Sequence, residues 1–335
     1  MIKDLLHVLS YNAKEPMIFS SGLFLFLFLG FSFVYMCLQR KLTARLLFVT
    51  AFSYYFYYKS SGFYFCLLAF VTLTDYLIAH TIYRYKENKM LGKLLVTLSL
   101  VVDLGLLGYF KYANFFGSML SSIIGNNFQP WDIFLPVGIS FFTFQSLSYT
   151  IDVYRGDLKP LPSILDYAFY VSFFPQLVAG PIVRYGTVAE EIGNRHISAS
   201  DFAEGAYRFL IGLGKKVLLA NQFSEIVDQF LRGSLHDLST TGAWIGILAF
   251  AFQIYFDFSG YSDMAIGMGR CLGFHFNENF DHPYISRSIT EFWRRWHISL
   301  GSFFRDYVYI PMGGNRRHQP LNILCVWFLT GLWHG

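Results

Sequence analysis

The chain alternates long apolar stretches with short polar ones, and within each stretch the apolarity is continuous rather than confined to every second residue. In lipid a helix satisfies its own backbone, whereas a barrel strand shows alternation, so this pattern predicts helices. The runs Ile18–Leu38, Leu46–Tyr58, Phe63–Ile82, Leu94–Phe110 and Ile133–Ile151 read as successive spans, the second rather short. A hydrocarbon layer about 30 Å thick takes about 20 helical residues. The expected fold class is all-α, a polytopic helical integral membrane protein. Beyond residue 160 the pattern loosens: Tyr167–Val183, Phe209–Ala220 and Ala243–Phe258 are interrupted by Pro, Gly and charge, which predicts re-entrant or partly buried helices.

Basic residues mark the loops. Arg40, Lys41 and Arg45 follow the first span, Arg84, Lys86, Lys89 and Lys93 the third, and Arg155 and Lys159 the fifth. The positive-inside rule then places these loops in the cytoplasm and the N-terminus outside. Residues 1–17 read as a short interfacial helix or a tail, and Ile18–Leu38 is too long for the apolar core of a cleaved signal peptide. No repeat or linker divides the chain, so a single domain over 1–335 is expected.

Composition sharpens this picture. The 335 residues are 54% hydrophobic, 20% aromatic and 14% charged, against about 25% charged in ordinary globular chains. The net charge of +4 sits beside the spans rather than in one patch, which argues orientation in a membrane and no nucleic acid. The four cysteines, Cys37, Cys66, Cys271 and Cys325, lie in apolar segments without CxxC spacing and read as small buried hydrophobes.

One stretch combines aromatic and basic character most strongly: Thr290–Arg317. On a continuous helix, Trp293, Trp296, Leu300, Phe303, Phe304 and Tyr307 share one face, with Arg294, Arg295, Ser302, Arg305 and Asp306 opposite and His297 at the edge. Glu291 precedes Arg295 by four residues, the favourable order for a helical ion pair. Four places hold polar groups in apolar sequence. FLPVGISFFTFQSLSYTIDVYRG (134–156) offers Gln145 and Tyr149 as lining groups, against a packing role. FFPQLVAGPIVRY (173–185) predicts a broken helix, with Gln176 and Arg184 beside a cavity, or a simple bend. FQIYFDFSGYSDMAIGMGRCLGF (252–274) carries Asp257 and Asp263, which invite a metal reading; its small residues favour close helix packing instead. Intramembrane Asp75 and Asp103 read as proton-relay groups or, preferably, as interhelical hydrogen-bonding groups. Finally His297 and, in LTGLWHG, His334 are imidazoles in apolar surroundings, where the neutral, proton-accepting form is favoured.

At these residues the sequence resembles the membrane-bound O-acyltransferase family, in its bacterial branch for alginate O-acetylation and D-alanyl transfer to lipoteichoic acid. The resemblance is carried in order by LPVGISFFTFQSLSYTIDVYRG, FFPQLVAGPIVRY, FDFSGYSDMAIGMGRCLGF, NFDHPYISRSITEFWRRWHISLGSFFRDYVYIPMGGNRR and LTGLWHG, over roughly 134–335, and PMGGNR lies closest to the alginate side. It implies a tunnel that admits an acyl thioester, acetyl-CoA or an acyl carrier protein, from the cytoplasm and an acceptor hydroxyl from outside. It implies no bound cofactor and no metal. His334 falls on the family's near-invariant histidine and would be the general base, with His297 assisting. On charge and helix face alone, Arg294, Arg295 and Arg305 are expected to receive phosphates of coenzyme A, with Gln145, Tyr149 and Gln176, the polar groups of the motifs above, lining the route.

The implied setting is a bacterial inner membrane, with a polysaccharide acceptor and an extracytoplasmic acetyltransferase partner. Family members usually continue past WHG, so the resemblance leads us to expect a C-terminally incomplete fold, inactive by itself. D-alanyl transfer to teichoic acid, a polysaccharide or lipid exporter, and a metal-dependent glycosyltransferase using Asp257 and Asp263 are the competing readings. Exporters of this kind commonly show internal inverted repeats, which this sequence lacks.

Overall fold

The computed structural model describes residues 8–125, 127–195, 197–233 and 238–334. Every regular element among them is helical. Three stretches, Leu42–Arg84, Lys89–Ile124 and Thr240–Cys271, are long and apolar enough to cross a bilayer. The chain divides into two compact units, Met1–Ala179 with Arg184–Arg195, and Gly180–Val183 with His196–Gly335.

The first unit contains α1 (Gly22–Cys37), α2 (Leu42–Ser61), α3 (Phe65–Arg84), α4 (Lys89–Leu107) and α5 (Ala113–Ile124), then α6 (Ile139–Arg155), α7 (Ile164–Ser172), α8 (Phe174–Leu177) and α9 (Tyr185–Gly193). Helix α1 starts where Ser21 Oγ accepts from Phe24 N, the ordinary role of a serine N-cap. The span expected to stop at Phe110 instead runs through a π-helical turn at 108–112 into α5 and ends at Ile124. Its stop signal is Gly125, at φ +78°, a left-handed cap that glycine adopts without a Cβ penalty. Helix α6 begins later than the apolar run beginning at Ile133. Gly138 precedes it at φ +75°, and a Cβ there would lie 2.2 Å from the Leu177 carbonyl oxygen.

Helix α6 packs against α3 and α4 and is buried on several sides, which is why its sequence mixes Phe and Leu with Gln, Ser and Thr. An aromatic core surrounds Phe174, whose ring lies 5.3 Å from Phe31 and 5.1 Å from Phe52. Asp75 and Asp103 are both 1% exposed. Ser99 Oγ on α4 donates to Asp75 Oδ1 on α3 at 2.8 Å, the interhelical bond expected of such residues.

The second unit contains α10 (Ala199–Gly214), α11 (Asn221–Leu231), the 32-residue α12 (Thr240–Cys271), α13 (Ile289–Arg295), α14 (Ile298–Phe304) and α15 (Gln319–His334). A capping box of Ser198 and Asp201 opens α10. Helices α10 and α12 cross at backbone distance. A Cβ on Gly205 would stand 2.6 Å from the Gly267 carbonyl oxygen, and one on Gly212 would stand 2.5 Å from that of Gly260. The small residues of 252–274 thus serve close packing, as their composition suggests. The carboxylates of that motif are engaged by cations: Asp263 meets Arg208 and Lys215, both at 2.6 Å, and Asp257 pairs with Lys216.

Candidate active site

The stretch Thr290–Arg317 is not one helix. Helix α13 ends at Arg295, Trp296 is extended, and α14 starts at Ile298, so the break falls on His297. His297 has φ +44°, one of three non-glycine residues with positive φ among those described. A side chain in that conformation costs roughly 1–2 kcal/mol, and such strain persists only where the surroundings enforce it. They do so here. Ile298 N donates to Asn279 O at 3.0 Å and Asp281 N to Arg295 O at 2.9 Å, so segment 279–281 is bonded on both sides of the break.

The break changes what the helical wheel predicts. His297 is not at the edge of an apolar face but 4% exposed. Its ring meets Phe258 edge to face with centroids 4.7 Å apart. Its Nδ1 lies 3.0 Å from Asn279 Oδ1. The Glu291–Arg295 pair is present, with Arg295 Nε donating to Glu291 Oε1 at 3.1 Å.

A cavity of about 1000 Å³ opens beside His297, lined from α13 by Trp293 and Arg294, from the break by Trp296, from just past α14 by Arg305, and from α15 by Trp327 and Thr330. Ligand pockets run roughly 300–1,000 Å³, mostly apolar with a few placed polar groups. Arg294 is exposed and makes no ion pair among the described residues. Arg305, just past α14, is held by Asp306 at 2.7 Å.

The other candidates fall elsewhere. Arg295 does not line the cavity, because Glu291 and Asp281 take its guanidinium, both at 3.1 Å. Gln145, Tyr149 and Gln176 belong to the first unit and are not part of the lining. All three are buried. Tyr149 Oη accepts from Leu161 N at 2.8 Å, and Gln176 Nε2 donates to Tyr170 O at 2.5 Å. Neither amide atom of Gln145 has a hydrogen-bond partner among the described residues. The helix predicted to break in 173–185 does so after Leu177. The backbone of His334 closes α15, four residues beyond cavity-lining Thr330, while its side chain lies outside the described residues.

On the exposed side of the break, Arg287 N–H, then the Arg295 guanidinium, hold the Glu291 carboxyl below the usual carboxylate range. Among the described residues no group of three or more His, Cys, Asp and Glu side chains is arranged to hold a metal ion.

The model of the family described as MBOAT, membrane-bound O-acyltransferase, matches residues 155–335. This chain belongs to the membrane-bound O-acyltransferase family. It is 46% identical over 326 residues to a protein of Azotobacter vinelandii named probable alginate O-acetylase AlgI, covering 95% of this chain and 65% of that one. The like-named protein of Pseudomonas aeruginosa is 44% identical, with 95% and 62% covered. A peptidoglycan O-acetyltransferase of Helicobacter pylori is 36% identical, with 95% and 67% covered. The chain therefore spans somewhat under two thirds of the length of the first two relatives.

Proposed function

We propose that the protein is an O-acyltransferase of the bacterial inner membrane. It moves an acetyl group from a cytoplasmic thioester, acetyl-CoA or an acetylated carrier protein, toward hydroxyl groups of an extracytoplasmic polysaccharide such as alginate. A separate extracytoplasmic acetyltransferase completes the delivery. The observation that carries this reading is the cavity beside a strained, buried histidine in a chain with alginate O-acetylase relatives.

In this reading an imidazole takes the hydroxyl proton as the oxygen attacks the thioester carbonyl. The carbon–sulfur bond then breaks and thiolate leaves. His334 is the general base and His297 assists. The register of α15 supports this pairing, since Trp327 and Thr330 line the cavity and His334 follows on the same helical repeat. Arg294, with Arg305, faces the donor's phosphates.

The test is polymer acetylation by the full-length protein in membranes carrying His334→Ala or His297→Ala. We expect His334→Ala to lose activity by about 10³-fold and His297→Ala by at least about tenfold. Full acetylation by both variants would overturn the reading. A variant that keeps acetylation while polymer export fails would favour an exporter instead.

A further inference from the structure

Asn279, in the loop between α12 and α13, carries no chemical signal in the sequence, yet it is 0% exposed and touches the Nδ1 edge of His297. Its amide has two distinct ends, and two backbone groups fix which is which. Nδ2 lies 3.4 Å from the Gly180 carbonyl oxygen, which can only accept. Oδ1 lies 3.3 Å from Ser299 N–H, which can only donate. Side chains complete the arrangement, with Nδ2 3.0 Å from Ser262 Oγ and Oδ1 2.9 Å from Ser299 Oγ. Ser299 Oγ in turn accepts from Ile182 N at 2.9 Å, and its one proton goes to Asn279 Oδ1 at 2.9 Å in preference to His297 Nδ1, which lies farther off at 3.4 Å.

An oxygen so fixed can only accept, so the His297 nitrogen 3.0 Å away must carry the hydrogen. The neutral ring is then the Nδ1–H tautomer, with its lone pair on Nε2 at the opposite edge. We infer that Asn279 is a positioning residue that holds His297 in the Nδ1–H tautomer and so leaves Nε2 as the ring's accepting nitrogen, in support of the general base His334 during acyl transfer in the cavity. The inference rests on the cavity being the site of acyl transfer, and it gives the assisting role of His297 a sign: neutral, it accepts and does not donate to a developing oxyanion. A neutral amide and a carboxylate differ here in one respect: a carboxylate beside Nδ1–H stabilises the protonated ring and raises its basicity, so more of it is already protonated at a given pH, whereas the amide fixes the tautomer without that charge.

The experiment uses the full-length protein in lipid nanodiscs with ¹⁵N-labelled histidine, His297 being assigned by the spectrum of His297→Gln. Wild type should show Nδ1 protonated and Nε2 unprotonated. Asn279→Leu should lose this preference and lower kcat by about tenfold, no more than His297→Ala does, with little change in KM. Asn279→Asp keeps an acceptor oxygen and should restore the tautomer while moving the acid limb of the kcat profile up by about one pH unit. It also supplies the reading if the leucine variant does not fold. A wild-type tautomer and kcat in Asn279→Leu, or an unmoved acid limb in Asn279→Asp, would overturn the inference. Undiminished activity in His297→Ala would instead remove the catalytic reading of the cavity and leave the spectroscopic result standing.

Discussion

Two histidines share a backbone conformation and differ in the surroundings of their rings. His282 and His297 have φ +45° and +44°, each precedes a helical turn, and each has Nδ1 near 3 Å from a side-chain oxygen. Around His282 the partners are charged and wet: Asp281 lies 3.1 Å from the ring and also meets Arg295, which meets Glu291. Around His297 they are neutral and dry, namely Asn279, Ser299 and Phe258. The two sets are tied by the backbone bonds between 279–281 and 295–298. The difference teaches that the strained turn is a structural device, whereas the chemistry depends on which side of it faces water. Charge chains stabilise little when exposed, and neutral networks matter most when buried.

The largest break in this comparison comes from the buried side. Ser299→Ala removes the side-chain acceptor of Ile182 N–H and one of the donors to Asn279. A buried donor left without a partner costs about 1–3 kcal/mol. We expect a lower thermal midpoint in detergent and acetylation that falls with it. An unchanged midpoint would mean that the Ser299 hydroxyl is not what holds the network.

Next in size is a contrast between neighbours. Arg294→Ala should weaken acyl-CoA affinity about tenfold, near 1.4 kcal/mol, and leave stability alone. Arg295→Ala should do the reverse, lowering stability by about 0.5–1 kcal/mol through the lost exposed pairs and leaving affinity unchanged. Calorimetric titration with acyl-CoA, set beside melting curves, separates them. Equal effects on affinity would mean that both arginines serve the donor.

Much of this was readable from residue order. Continuous apolar runs gave helices, the glycines of 252–274 gave a close crossing, and the Glu291–Arg295 spacing gave a pair that forms. The break at His297 was not readable. A helical wheel assumes continuity, and nothing in FWRRWHISL marks a left-handed residue, because the cause lies in backbone bonds to 279–281. Asn279 escaped for the same reason: in NFDHPY it reads as an ordinary turn former, and its partners lie 17 to 99 residues away. Arg295 was assigned to the donor on the strength of its charge. Its removal from the cavity needs Asp281, which is distant in sequence and adjacent in space.

The smallest effect sharpens the comparison through pH. The Glu291 carboxyl is held below its usual value of 4.5, chiefly by Arg287 N–H and then by Arg295. A carboxyl whose folded value lies below its unfolded one adds stability that is fully present above the unfolded value and lost as pH falls through the folded one. The exposed chain should therefore weaken as pH drops from about 5 downward, whereas the Asn279–Ser299 bond joins an amide to a hydroxyl, neither of which titrates, and should contribute equally across that window. Glu291→Gln should flatten the acid dependence of the melting temperature slightly and leave its neutral-pH value nearly unchanged, while Ser299→Ala should lower the whole curve without changing its slope. Parallel curves for Glu291→Gln and wild type below pH 5 would show that the charges outside the turn do not help to hold it.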